Sequence, residues 1–580
     1  MTEAIERRDD WAWRPWLLAG LGGIAGLLVH LIMGEDHGFD AVASWQLSVA
    51  MFVIGFAVLL GYTLERVRWQ WSLVFAVISA LILAAICRWN GTPNDWSAAE
   101  SWRMVCAFLS VAIAAPLFQT ARDRGAWRFP YAEVHGHAWT NVVIWFASAA
   151  FVGVVFLLTL LLSELFSLIG IRLIRDALDA QWFVLLLIGV SLGAAVGVFR
   201  KRDGITRMLL KVVVALLGVL APVMGAGLLL FLASLPFTGL AALWDATKAT
   251  TPILLSCVVG ALVLANVVIG DSDEDENRFP PLRWGAMALA LTMLPLAVIA
   301  AISTGARIRQ YGFTPDRLWA LTFVIVACAF GLAYLVALVR GRTDWAKHVR
   351  PANLRLAFGL CGLALFLALP ILSFNAISTR DQVARLESGR IAPDRFDWAA
   401  LRFDFGEPGK AAITRLTSNG NTAIRAGAVQ ALKAEDRWAL SRDQENKVRA
   451  ERVARELRII PAKVPLPGGL LESFGRFDRY VDQADKRAYA LFYKPGDTVA
   501  ILISYTCDGC VPDVDVRRLS ASGNWEQFSV PYGQGDMSGD ELKARNRLAG
   551  EAIAHGTIEI RNVERHQVFV NGNPVGEVFE

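Results

Sequence analysis

Between residues 16 and 374 apolar runs of about twenty residues follow one another with only short polar breaks. A single soluble core cannot absorb such runs. A bilayer core about 30 Å thick takes roughly 20 helical residues to cross. By that length, spans are expected near residues 16–33, 42–63, 70–87, 103–120, 140–163, 182–199, 211–234, 250–270, 284–304, 318–339 and 355–374, about eleven in all. Composition agrees: 55% of the 580 residues are hydrophobic and only 19% charged, with a mean hydropathy of +0.42, whereas soluble domains are about a quarter charged. Tryptophans cluster at predicted span ends, as Trp11, Trp13 and Trp16, then Trp69 and Trp71, then Trp182, where amphipathic rings suit the headgroup level. No small-residue cleavage site follows the first span, so it is expected to stay as an anchor.

Loops retained in the cytoplasm carry an excess of Lys and Arg. With the N-terminus inside, twenty such residues fall on the cytoplasmic side, among them Arg66, Arg68, Arg122, Arg124, Arg200, Lys201 and Arg350. The other side then holds eight: Arg88, Arg103, Arg172, Arg175, Lys248, Arg307, Arg309 and Arg317. An odd number of spans then puts the C-terminal region outside the cytoplasm, in the periplasm of a bacterial inner-membrane protein. The expected fold is an α-helical polytopic membrane bundle over residues 1–374, a soluble helical segment over 375–463, and a small β-rich domain, mainly antiparallel, over 464–580. The helical pattern runs to about Ile460, and VPLPGG at 464–469 reads as a linker. Short strands are expected in RAYALFYK, TVAILISYT, VRRLS, QFSV, GTIEIRNV, HQVFV and VGEVF. Lys494-Pro495-Gly496-Asp497 and Asn571-Gly572-Asn573 are the hairpin turns.

Cys507 and Cys510 form a CxxC in that β-rich region. Zinc normally needs four ligands, and there is no second CxxC. A redox CxxC opens a helix, whereas an alternating strand pattern follows here, so a local disulfide is the expectation. The other five cysteines lie in or beside spans, where a thiol behaves as a small hydrophobe.

Several stretches invite a functional reading. Gly20-Leu21-Gly22-Gly23-Ile24-Ala25 matches a dinucleotide-binding pattern, but that pattern needs a preceding strand. Inside a span, Gly22 and Gly26 instead let helices approach closely. Glu133, His135 and His137 offer metal-ligand chemistry, yet on a helix two residues apart are about 200° apart around the axis, and no metal site is expected. The acidic run 271–276 lacks the spacing of a calcium loop. Glu164 is the intramembrane ionisable candidate, because charge within a span is costly and tends to be functional. RIRQYGFTPDRLWAL, residues 307–321, carries the most information. Thr314 caps a helix, Pro315 takes its first position and Asp316 complements its dipole. Arg307, Arg309 and Arg317, on the side poor in basic residues, form with Tyr311 and Thr314 a candidate site for an anion or lipid headgroup.

That stretch, with HAWTNVV at 137–143 and LFSLIGIRLIRDAL at 165–178, resembles the bacterial polytopic membrane family known as domain of unknown function 4153. The resemblance implies an inner-membrane protein without an assigned activity and carries no catalytic residues. The chain contains no P-loop, HExxH, GxSxG or kinase signature. The expected partners are the lipid bilayer and an anionic lipid, with no cofactor and no nucleic acid. A non-enzymatic sensor or envelope assembly factor with a periplasmic C-terminal domain is the first expectation. A transporter or lipid-handling protein is the alternative. The location of a polar cavity separates the readings: midplane for transport, interface for lipid chemistry, and none for scaffolding.

Overall fold

In the computed structural model, the described residues are 11–34, 42–93, 96–246, 249–276, 279–438, 440, 457–461, 464–474, 488–505, 511–528, 539–555, 566–570 and 573–579. Among them eleven helices are long and apolar enough to cross a membrane. They are α1 (Arg14–Met33), α2 (Ser44–Thr63), α3 (Trp69–Asn90), α4 (Ala98–Arg124), α5 (Tyr131–Leu168), α6 (Gln181–Lys201), α7 (Gly204–Gly239), α8 (Thr250–Ile269), α9 (Pro280–Tyr311), α10 (Pro315–Gly341) and α11 (Ala346–Ala368). This is a multi-pass membrane protein. A shorter helix, α12 (Phe374–Glu387), follows. The chain divides into two compact units, Met1–Ile391 with Phe403–Ala412, and Ala392–Arg402 with Ile413–Glu580.

In the first unit, close packing rests on small residues, since lipid supplies no hydrophobic drive between helices. A side chain at Gly22 would fall on the carbonyl oxygen of Gly189, and one at Gly189 on that of Gly22; Gly193 faces Leu18 and Gly26 faces Leu185 in the same way. The GxGxxA stretch is therefore the seam between α1 and α6. The second half of the bundle has a continuous core around Leu289, Met293, Leu296 and Tyr334, all fully buried. Leucines on α5 such as Leu157, Leu161 and Leu165 are outward facing and more than half exposed, as lipid contact requires. The span-end tryptophans Trp13, Trp16, Trp69 and Trp182 are also exposed.

Arginines tie the helix ends together. Arg14 at the start of α1 donates to Leu64 O (2.6 Å) and Glu65 (2.7 Å), and Arg200 at the end of α6 donates to Gly61 O and Glu65, both at 2.6 Å. Arg122 on α4 bonds Thr63 O and Asp123, and Arg68 bonds the carbonyl of Arg122. Cations thus meet the carbonyl-rich C-terminus of α2, where the helix dipole favours them. The acidic run after α8 is closed likewise. Arg350 on α11 bonds Asp273, Ile269 O (2.9 Å) and Ser272 O (2.5 Å), and Glu276 lies 3.5 Å away. Burial, then hydrogen bonding to Asp275, raises the Asp271 carboxyl, while Arg350 lowers that of Asp273.

The second unit contains α13 (Thr422–Lys433), which packs on Trp398 at Gly427. A five-stranded sheet runs in the order β1 (Leu457–Ile460), β2 (Ala488–Phe492), β3 (Val499–Tyr505), β4 (Asp513–Leu519), β5 (Trp525–Phe528). Its pairs are antiparallel except β1 with β2. The expected turn at 494–497 joins β2 and β3, with Asp497 N bonded to Lys494 O at 3.0 Å. β6 (His566–Val570) and β7 (Asn573–Phe579) form a separate antiparallel pair. Helix α14 (Gly539–His555) sets Ile553 beside Ala490 and Tyr505.

Two elements differ from expectation. Residues 457–460, expected to end a helix, form β1, because Ile459 and Ile460 are β-branched and pair with β2. The helix at 539–555 was not foreseen. The expected strand GTIEIRNV and the cysteine pair Cys507 and Cys510 lie outside the described residues.

Candidate functional site

Most side chains along the spans are apolar, so a cluster of polar ones inside the bundle is informative: each polar group withdrawn from water must find a partner or cost about 1–3 kcal/mol. Five come together from four helices. Pro130 holds the extended turn before α5, whose first residue is Tyr131. One turn later His135 lies on the same face, with Nδ1 2.8 Å from the Tyr131 hydroxyl. Near the end of α8, Asn266 sends its amide nitrogen to Leu262 O (2.8 Å) and to the Tyr334 hydroxyl of α10 (2.7 Å). On α11, Asn353 donates to Asn266 Oδ1 at 2.6 Å, and the Tyr131 hydroxyl lies 3.5 Å from both amide groups. Tyr334 is fully buried, its ring edge-on to Trp345 at 6.4 Å.

Four of these five residues border a cavity of about 850 Å³, within the range of ligand sites. Its remaining walls are apolar, formed by residues such as Trp139, Phe146, Leu217, Leu262, Phe330 and Leu360. Val142 and Phe146 on the same wall are 46% and 69% exposed, so the cavity reaches the lipid-facing surface. It has a long apolar body with a neutral polar end. That end lies where α5 begins, α8 ends and α11 begins, near an interface and away from the middle of the spans. The nearby Arg350 is committed to the acidic loop.

Glu133, His135 and His137, from which no metal site was expected, diverge. Glu133 pairs with Arg124 at 2.5 Å, His137 approaches Asp123 at 3.3 Å, and only His135 turns to the cavity. Among the described residues no group of three or more His, Cys, Asp or Glu is placed to hold a metal. Glu164 is exposed near the end of α5.

The 307–321 stretch forms a tight structural turn. Thr314 Oγ1 accepts from Arg317 N at 3.4 Å, and Arg317 donates to Gly312 O at 2.9 Å while lying over the Tyr311 ring, 5.3 Å from its centroid. Gly312 has φ 78°, a region that favours glycine. Helix α12 seats on this turn: Asp381 accepts from Phe313 N (2.8 Å), Gln382 donates to Tyr311 O and Phe313 O (both 2.9 Å), and Arg385 donates to Gln310 O (2.9 Å). Arg309 is exposed and Arg307 half-buried.

Sequence reasoning noticed His135 but missed Asn266, Tyr334 and Asn353. Single neutral amides and phenols in apolar helices give no spacing signal. The one available clue was that Asn266 and Tyr334 are isolated strong hydrogen-bonding groups inside expected spans; Asn353 falls just before the span expected at 355–374.

No curated protein and no solved structure matches the chain. A family model described as a domain of unknown function (DUF4153) matches residues 47–404, a stretch that includes every residue of the polar cluster. The chain therefore belongs to the DUF4153 family of polytopic membrane proteins.

Proposed function

We propose that this protein handles a lipid within the membrane, taking part of an amphiphile out of the bilayer into the cavity between α5, α7, α8 and α11. The observation that carries the reading is the pairing of a large apolar cavity, reaching the lipid-facing surface, with a neutral polar cluster at one end only. A transport path for a polar solute calls for polar groups near the midplane. This cavity presents apolar walls there. An amphiphile matches both parts, with its chain along the walls and its head at Tyr131, His135, Asn266 and Asn353.

Lipid retention tests this. The full chain purified in mild detergent is expected to hold lipid in native mass spectrometry, and Ala357→Trp, which fills the cavity one turn below Asn353, is expected to release it. Equal lipid content in parent and variant would refute the reading.

The same reading puts the polar end at the cytoplasmic face of a bacterial inner membrane and the C-terminal region in the periplasm. The Lys and Arg bias of the loops supports that orientation. A non-enzymatic sensor or envelope assembly role is the second reading, favoured by the seating of α12 on the α9–α10 turn. Such a seat is a place where a state of the bundle can be passed to the segment that follows.

A further inference from the structure

At the end of the bundle opposite the polar end of the cavity, where α9 ends and α10 begins, arginines from three helices meet. Arg307 stands near the end of α9 and Arg317 in the first turn of α10. Arg385 arrives on α12, 75 residues beyond the Gln310 carbonyl that it bonds. Arg317 and Arg385 each donate to the same short turn, at Gly312 O and Gln310 O. Arg307 and Arg385 both lie close enough to repel the charge of Arg317, and such an arrangement needs an offsetting negative charge.

The carboxylates at hand supply little of it. Asp381 is turned to Phe313 N, and Asp316, which attracts Arg317, is exposed on the first turn of α10. Among the described residues neither Arg317 nor Arg385 forms an ion pair, although both are half withdrawn from water. A guanidinium has five N–H donors, and each of these two spends one on a carbonyl. Arg385 Nε is shut off from solvent, so its terminal nitrogens are the ones available to a ligand. The surroundings set the depth. Tyr311, under Arg317, is exposed, as are Ile302, two turns back on the face of Arg309, and Ile371, just past α11. Apolar and aromatic surface of this kind meets lipid at the headgroup boundary.

We infer that Arg307, Arg317 and Arg385 hold the headgroup of an anionic phospholipid, such as phosphatidylglycerol, in the leaflet opposite the polar end of the cavity, with Arg309 at the rim. Planar guanidinium forks match phosphate oxygens. Phosphatidylcholine has the same phosphate but carries its own cation and brings no net counter-charge. Because Arg385 belongs to α12, a bound headgroup also ties α12 to the start of α10. The site is separate from the cavity and does not rest on it.

The test uses the full chain in nanodiscs of equal parts dioleoyl phosphatidylcholine and dioleoyl phosphatidylglycerol, with the lipids retained on ejection identified by native mass spectrometry. The parent is expected to enrich phosphatidylglycerol about tenfold. Arg317→Gln and Arg385→Gln should each cut that enrichment about fivefold, the effect of one arginine beside an anionic headgroup. Arg175→Gln, at an exposed arginine on the same face, should leave it within about twofold, because exposed charge is screened. If Arg317→Gln does not fold, Arg385→Gln carries the same reading. Equal retention of the two lipids by the parent, intact enrichment in the folded cluster variants, an equal loss in Arg175→Gln, or displacement by excess inorganic phosphate overturns the assignment. Ala357→Trp separates this site from the cavity: it should keep the enrichment, and loss there would place the anionic lipid in the cavity and overturn the assignment.

Discussion

Glu65 is a single carboxylate between two guanidinium groups, 2.7 Å from Arg14 and 2.6 Å from Arg200. Burial alone would raise its pKa, but Arg200 and Arg14 more than offset this and hold it below the ordinary 4.5. A carboxyl depressed in the folded state contributes stability that is fully present above pH 4.5 and is lost as pH falls through the lowered value. Glu65→Gln is therefore expected to lower thermal stability at neutral pH, by about 1–3 kcal/mol for two buried cations left without their counter-charge. It should also flatten the acid limb of the stability profile. A scan of melting temperature against pH on both proteins checks this. An unchanged acid limb would mean that Glu65 does not hold the junction of α1, α2 and α6.

Two element-level contacts differ in how far the sequence announced them. The small-residue seam between α1 and α6 was legible, because Gly22 and Gly26 are four apart within one apolar run and in lipid that spacing means close approach. Gly189→Leu is expected to force the helices apart, costing about 1–3 kcal/mol or more as overpacking, seen as a lower melting temperature and weaker protection of α1 from protease. A full-stability variant would contradict the seam. The α9–α10 turn was legible only in part. Thr314, Pro315 and Asp316 announced a cap from local chemistry alone. Nothing local announced that Asp381, Gln382 and Arg385, some seventy residues later, would take up the backbone groups of residues 310–313. Asp381→Ala removes the acceptor of the Phe313 amide and is expected to speed hydrogen exchange there about tenfold, a cost of about 1–2 kcal/mol. No change in exchange at Phe313 would show that α12 does not hold the turn.

At the scale of the molecule, the eleven spans were readable because the bilayer thickness sets their length, and even two short expected ones, near 70–87 and 103–120, are full helices at Trp69–Asn90 and Ala98–Arg124. The candidate site was not readable, since its members are brought together by packing across 135 and 222 residues of sequence. The search for charge within spans led to Glu164 and passed over neutral amides. The orientation proposal has its own check: alkaline phosphatase fused after Glu580 should be active and a cytoplasmic reporter at the same point inactive, and the reverse result would overturn it. The central claim, that the cavity takes a lipid chain from the bilayer, is tested most directly by photolabelling in native membranes with a diacylglycerol bearing a diazirine in its acyl chain. The account predicts adducts on the cavity walls, at residues 209–217, 262–263 and 354–360, and their loss in Ala357→Trp; adducts confined to outward leucines such as Leu157 and Leu161, unchanged by that substitution, would contradict it.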